Sequence, residues 1–177
     1  MASTAPPNAP DAWPIPQGWK HELIAFPLDF APQIQHRGVE EIRFPPGFLD
    51  QKSPNHWSYT FVWRLENPAV LDATGLAGEL TTYFRGLCVA VDGDKHRFDP
   101  NQISATATQN GGAFDLTVHL FDAFGDGSPV DVVGHAGRRP CGDGSLWTLV
   151  LAPKSSPITG QLYDLAGQAA CGQAPQK

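Results

Sequence analysis

Charge is scarce in this sequence. Only 17% of its 177 residues are Asp, Glu, Lys or Arg, against about 25% in an ordinary globular domain. Basic residues are the scarcer kind, 12 against 18 carboxylates, for a formal net charge of −6. A general nucleic-acid binder gains affinity by neutralising phosphates with Lys and Arg, so this balance argues against one. Long apolar runs are missing too. No stretch approaches the roughly 20 residues that cross a bilayer, and no membrane partner is expected. Cysteine is limited to Cys88, Cys141 and Cys171, at spacings that fit no CxxC metal or redox pattern. There is no GxGxxG after a strand, no GxxxxGK[ST], no HExxH and no GxSxG. These absences weigh against nucleotide enzymes, zincins and α/β-hydrolases. They leave open any site assembled from scattered residues.

Turn formers, by contrast, are abundant. Gly (18) and Pro (17) make up about a fifth of the chain, above the usual level but short of the roughly 25–30% that signals disorder. A hydrophobic share of 41% is enough to bury a core, and the length suits one soluble domain. Residues 1–18 carry Pro6, Pro7, Pro10, Pro14 and Pro16, which bars a helix or a central strand. They are predicted to form an extended arm ahead of a single domain over 19–177. The arm lacks the basic start and apolar stretch of an intact secretory signal. Its small residues and Pro-rich spacer resemble the start of a mature chain from which a signal has been cleaved. That points to a secreted or periplasmic protein, with a cytoplasmic one as the alternative.

The cysteines bear on the same question. Cys141 sits in a Gly-rich turn and Cys171 ends the last predicted helix. A disulfide between them would close a loop of about 30 residues, worth roughly 3–4 kcal/mol in loop entropy. The alternative is two free thiols in a reducing compartment. Cys88 falls on the apolar face of a predicted helix and reads as a buried thiol.

Along the chain, residues 39–44 alternate until Pro45-Pro46-Gly47 stops them, as a short strand would. Residues 56–66 give the strongest strand signal: Trp57, Tyr59, Phe61, Trp63 and Leu65 share one face. Residues 74–91 read as a helix, with Leu76, Leu80, Phe84, Leu87, Cys88 and Val91 at three- and four-residue spacing. Asp72 or Thr74 can cap its start. Gly78 and Gly86 inside it suggest a close approach of the helix backbone to a sheet. Further strands are predicted at 102–109, 113–121, 129–137 and 145–151. The first pair is joined by the hairpin turn Asn110-Gly111-Gly112, and strand 145–151 is apolar on both faces. A C-terminal helix is predicted over about 157–170, opened by Ser156-Pro157. Residues 18–38 and 44–55 read as loops. The expected fold is a single α+β domain: a bent antiparallel sheet of about six strands packed on one main helix.

Four groups of residues could carry chemistry. Asp115, Thr117 and His119 share one side of their strand, and Asp131 and His135 share one side of the next. With His56 they form a speculative catalytic set, because imidazole beside carboxylate suits acid–base work near neutrality. The same groups suit a divalent metal, though no metal ligand and no cofactor is assigned. The ordinary reading is a polar outer sheet face. The aromatics form the second group: Trp57, Tyr59, Trp63, Trp19 and Phe84 are the expected ligand-binding residues, with Trp13 and Trp19 as lids, unless they are simply core. The third is Glu40, Glu41 and Arg43, preceded by His36 and Arg37. Glu40 points to the apolar side, where a carboxyl has a raised pKa and can act as a general acid. The alternative is an edge strand whose charges block pairing. Asp92-Gly93-Asp94 with Asp99 offers alternate carboxylates to calcium, or is a solvated turn.

The leading expectation is a domain that binds an apolar or aromatic small molecule between helix and sheet. One alternative is a hydrolase or lyase built on the His–carboxylate patch. The other is a structural module that pairs with a second copy through the sheet's Thr-rich face (Thr60, Thr106, Thr108, Thr117).

Overall fold

A computed structural model describes residues 12–177. The elements run β1 (Lys20–Ala25), β2 (Gly38–Phe44), β3 (Tyr59–Leu65), α1 (Ala73–Asp92), β4 (Ser104–Asn110), β5 (Ala113–Phe121), β6 (Pro129–Cys141), β7 (Gly144–Ala152) and α2 (Thr159–Gly167). All strands join one antiparallel sheet in the order β1-β2-β3-β7-β6-β5-β4. The chain leaves β3, crosses one face as α1, enters at the far edge as β4 and returns by hairpins until β7 lies beside β3. The result is the expected single α+β domain, with a seventh strand. That strand, β1, lies in a segment expected to be a loop.

Period-two alternation sorts the side chains as expected. Tyr59, Phe61, Trp63 and Leu65 on β3, and Phe114, Leu116, Val118 and Leu120 on β5, join one core with Leu76, Leu80, Phe84 and Cys88 of α1. Full burial of such side chains contributes about 1.5–3 kcal/mol each. Asp72 starts α1 by accepting the Gly75 N–H at 2.7 Å. The helix lies against the β4 edge. There the free Ala105 N–H donates to Thr81 Oγ1 at 3.0 Å, and Arg85 Nε donates to the Ile103 carbonyl at 3.0 Å. These contacts occupy polar edge groups that would otherwise be open to pairing with another chain.

Gly78 and Gly86 behave differently. A Cβ on Gly86 would lie 1.9 Å from the Phe30 carbonyl oxygen, whereas one on Gly78 would meet nothing within 4 Å. The close approach expected of the helix therefore exists only at Gly86, and it is to the loop after β1 rather than to the sheet.

The opposite sheet face is covered in part by α2. Leu162, Leu165 and Ala166 pack there with Val62, Leu146 and Val150, which explains why β7 is apolar on both sides. Residues 1–11 of the expected arm lie outside the described residues. Trp13 is fully buried on this face, donating its indole N–H to the Leu165 carbonyl at 2.8 Å. It is therefore not a pocket lid. The Arg43 guanidinium stacks 4.2 Å from the Trp13 ring centroid and donates to the Trp13 and Pro14 carbonyls and to Glu41 Oε1 at 2.7–2.8 Å. Glu41 also accepts from Arg64 Nε at 3.2 Å. Of the charges expected to guard an edge strand, Glu41 and Arg43 are thus a buried pair on an interior strand, because β1 covers the edge of β2.

Cys141 and Cys171 form a disulfide with a Cα separation of 5.5 Å, tying the chain after α2 to the end of β6. Cys88 is a buried free thiol, and burial pushes its pKa up to about 12. No helix among the described residues is long and apolar enough to cross a membrane.

Candidate functional site

Because α1 sits against the β4 edge, room is left between it and the other end of the sheet. A cleft of about 1200 Å³ opens there. Ile24 and Ile42 supply its strand wall and Leu87 and Val91 its helix wall, with Phe30 from the loop after β1 and Phe48 from the loop after β2. A run of rings backs it. Phe44 and Phe48 have centroids 4.8 Å apart, Phe48 and Tyr59 5.2 Å, and Phe61 and Tyr83 stack at 5.7 Å and 4°. Such contacts hold rings in fixed orientations beyond what burial alone does.

The mouth is fastened by a buried carboxylate. Asp122, fully buried after β5, accepts from Trp57 Nε1 at 3.0 Å, from Gln51 Nε2 at 2.7 Å and from the Gly125 N–H at 3.1 Å. His56 Nε2 lies 3.0 Å from the same carboxylate, and its Nδ1 lies 2.9 Å from the Phe48 carbonyl. Both ring nitrogens thus face oxygen atoms of fixed neighbours. Trp57 is held at a φ of +55°, an uncommon value for a bulky residue. From the other side, Arg97 bonds Asp92 Oδ1 at 2.6 Å and donates to the Ala123 carbonyl at 2.8 Å. Leu49 and Phe124 stand at the opening, 53% and 40% exposed.

Glu40 projects from β2 into the core and is fully buried. Trp63 Nε1 donates to its Oε1 at 3.0 Å, while Oε2 has no partner. Burial raises the carboxyl from 4.5 to about 7, opposed by hydrogen bonding from Trp63 and Tyr83. Tyr59 is the second orphan: its hydroxyl is buried and has no partner among the described residues. Burial, followed by the Glu40 charge, pushes its pKa well up, so it remains a protonated donor.

The expected ligand-binding set divides. Trp57, Tyr59 and Trp19 line the cleft. Trp63 and Phe84 do not; both are fully buried in the core, so their assignment to a ligand wall is corrected. The expected catalytic set does not converge. His119 Nδ1 meets Asp131 at 2.6 Å and His135 Nε2 meets Asp115 at 3.0 Å. These are two cross-strand pairs, four residues apart on β5 and hence about 13 Å along the strand. Their side chains are 41–71% exposed, where ion pairs contribute only about 0–1 kcal/mol. His56 lies apart from both, on Asp122. Among the described residues no cluster of three or more His, Cys, Asp or Glu is arranged to hold a metal. Asp92 is buried on Arg97, and Asp99 caps a short 3-10 turn through the Asn101 N–H. Thr60 is buried, its hydroxyl bonded to the Leu149 carbonyl at 2.8 Å, which removes it from any Thr-rich docking face.

Sequence reasoning missed Tyr83 and Asp122. Tyr83 carried a signal, lying three residues after Leu80 and four before Leu87. Asp122 carried none, since nothing local distinguishes it from a turn aspartate. Compared with known proteins, the chain matches no family model, no curated protein and no solved structure.

Proposed function

We propose that this protein binds an apolar or aromatic small molecule in the cleft between α1 and the β1–β2 end of the sheet. One observation carries the reading. The cleft, about 1200 Å³ and walled mainly by aliphatic and aromatic side chains, exceeds the roughly 300–1,000 Å³ of ordinary ligand sites. Its mouth is built from loops pinned by Asp122 and Arg97, so the space is preformed, which lowers the ordering cost of binding. The separated, exposed His–Asp pairs lend less support to a hydrolase or lyase. Secretion into an oxidising compartment fits the Cys141–Cys171 bridge.

Titration with an environment-sensitive naphthalene dye tests the reading. Leu87→Trp places extra volume in the cleft from the helix wall. Dye affinity should fall by about tenfold or more, a change of roughly 1.4 kcal/mol or greater, in a variant whose far-UV circular dichroism is unaltered. Equal affinity in the folded variant would rule the cleft out.

A further inference from the structure

We infer that two copies of this protein associate edge to edge through strand β1, in the register that sets Lys20 of each copy opposite Glu22 of the other. The inference stands apart from the cleft reading and gives the chain a partner of its own kind.

The two edges of the sheet differ. β4 is shielded, because Thr81 and Arg85 of α1 bond its Ala105 N–H and the adjoining Ile103 carbonyl. β1 pairs with β2 along its whole length on one side, and among the described residues no backbone hydrogen bond reaches it from the other. The Phe26 N–H donates to the Gly38 carbonyl at 2.9 Å. Backbone directions alternate along a strand, so Glu22 and Ile24 also point to β2, and His21, Leu23 and Ala25 turn their N–H and C=O groups to the open side. Such a row is a template for another strand unless proline, a bulge or unpaired charge blocks it. β1 contains neither proline nor bulge. Lys20 and Glu22 share its cleft-facing side, opposite Phe44 and Ile42. Both are exposed, and among the described residues neither has an ion-pair partner.

These two charges select the register. Antiparallel pairing of two copies must match the outward-pointing residues with one another. Centred on His21, it sets Lys20 opposite Glu22 of the other copy, twice over by symmetry. Moved one step either way, it stacks Lys20 on Lys20 or Glu22 on Glu22. Centred on Leu23, it sets Lys20 against Phe26 and Glu22 against Ile24. Unlike charges directly opposite stabilise a strand pair and like charges destabilise it, which leaves the His21-centred register. Because α1 shields β4, the assembly closes at two copies instead of growing.

Sedimentation equilibrium of the full chain, up to millimolar concentration, should show a reversible monomer–dimer equilibrium. Lys20→Glu and Glu22→Lys each set like charges opposite one another, and each should weaken self-association by about tenfold or more. Their net charges move in opposite directions, so a loss in both is not a net-charge effect. Mixed in equal amounts, the two variants should associate with each other. The double exchange Lys20→Glu/Glu22→Lys should self-associate as wild type does. Spin labelling reads the register. Cys88 is buried and Cys141 is bonded to Cys171, so a nitroxide applied to His21→Cys reacts at that position. The two labelled Cα atoms of a dimer would lie about 5.5 Å apart, and the spectrum should broaden as the dimer forms. Far-UV circular dichroism checks the fold of each variant. A wild type that stays monomeric, a dimer indifferent to the single exchanges, no recovery in either the mixture or the double exchange, or an unbroadened label would each overturn the inference.

Discussion

Trp63 on β3 and Glu40 on β2 stand directly opposite each other in the sheet, and the indole N–H of one donates to the carboxyl of the other at 3.0 Å. The site is fully buried, and among the described residues Oε2 has no hydrogen-bond partner. Burial therefore raises the acid from 4.5 to about 7. The folded protein holds this proton more tightly than the unfolded chain. Stability from this group is accordingly greatest below about 4.5, falls as pH rises between 4.5 and about 7, and is flat above. The total loss is on the order of 3 kcal/mol. Glu40→Gln keeps the acceptor for Trp63 and removes the titration. Urea unfolding of both proteins across this range should show similar stabilities near pH 4 and a growing advantage for the variant up to pH 8. A difference that does not change with pH would refute the assignment.

Asp122 makes the opposite prediction, because here the carboxylate is saturated. It bonds Trp57, Gln51, His56 and the Gly125 backbone while fully buried. Asp122→Ala would leave the buried Trp57 indole N–H without its acceptor and His56 without its carboxylate. Each buried donor left without its acceptor costs about 1–3 kcal/mol, so the midpoint of chemical unfolding should drop accordingly. Asp122→Asn retains an acceptor for Trp57 and should lose less. If both variants unfold like wild type, the carboxylate does not hold the mouth of the cleft.

The contrast between these two residues separates local from long-range information in the chain. Glu40 is visible in the sequence as a carboxyl on the apolar side of an alternating strand, since its parity sets its face before any partner is known. Asp122 is not, because its side-chain partners lie 65–71 residues away. The same division holds for larger elements. The alternation of 56–66, the spacing of 74–91 and the Asn110-Gly111 turn are local signals, and the sheet and main helix are legible from them. Strand β1 is a half-exposed edge with little apolar alternation of its own, and its pairing with β2 is what makes it a strand. Without it, β2 looks like an edge and its buried ion pairs like surface charge. The histidine patch failed for a geometric reason. Strand parity correctly put Asp115, His119, Asp131 and His135 on one face, but the antiparallel register matched each histidine to a different carboxylate and kept the pairs apart. The cleft itself arises from where α1 lies across the sheet, which no local pattern encodes.

Gly78 and Gly86 test the placement of α1 with one substitution made twice. Both sit within the helix, where replacing Gly by Ala ordinarily stabilises by about 0.5–1 kcal/mol through reduced backbone freedom in the unfolded chain. At Gly78 nothing lies within 4 Å of the new Cβ, so Gly78→Ala should raise the melting temperature by about 2–4 °C. At Gly86 the Cβ would fall 1.9 Å from the Phe30 oxygen and 2.9 Å from its carbonyl carbon, both backbone atoms. Gly86→Ala must push the helix and the loop apart, an overpacking cost of typically 1–3 kcal/mol that exceeds the entropic gain. Its melting temperature should fall. Because Phe30 also lines the cleft, dye binding should weaken in Gly86→Ala and stay unchanged in Gly78→Ala. Stabilisation by both substitutions would mean that α1 does not approach the Phe30 backbone, and the wall of the cleft on that side would have to be redrawn.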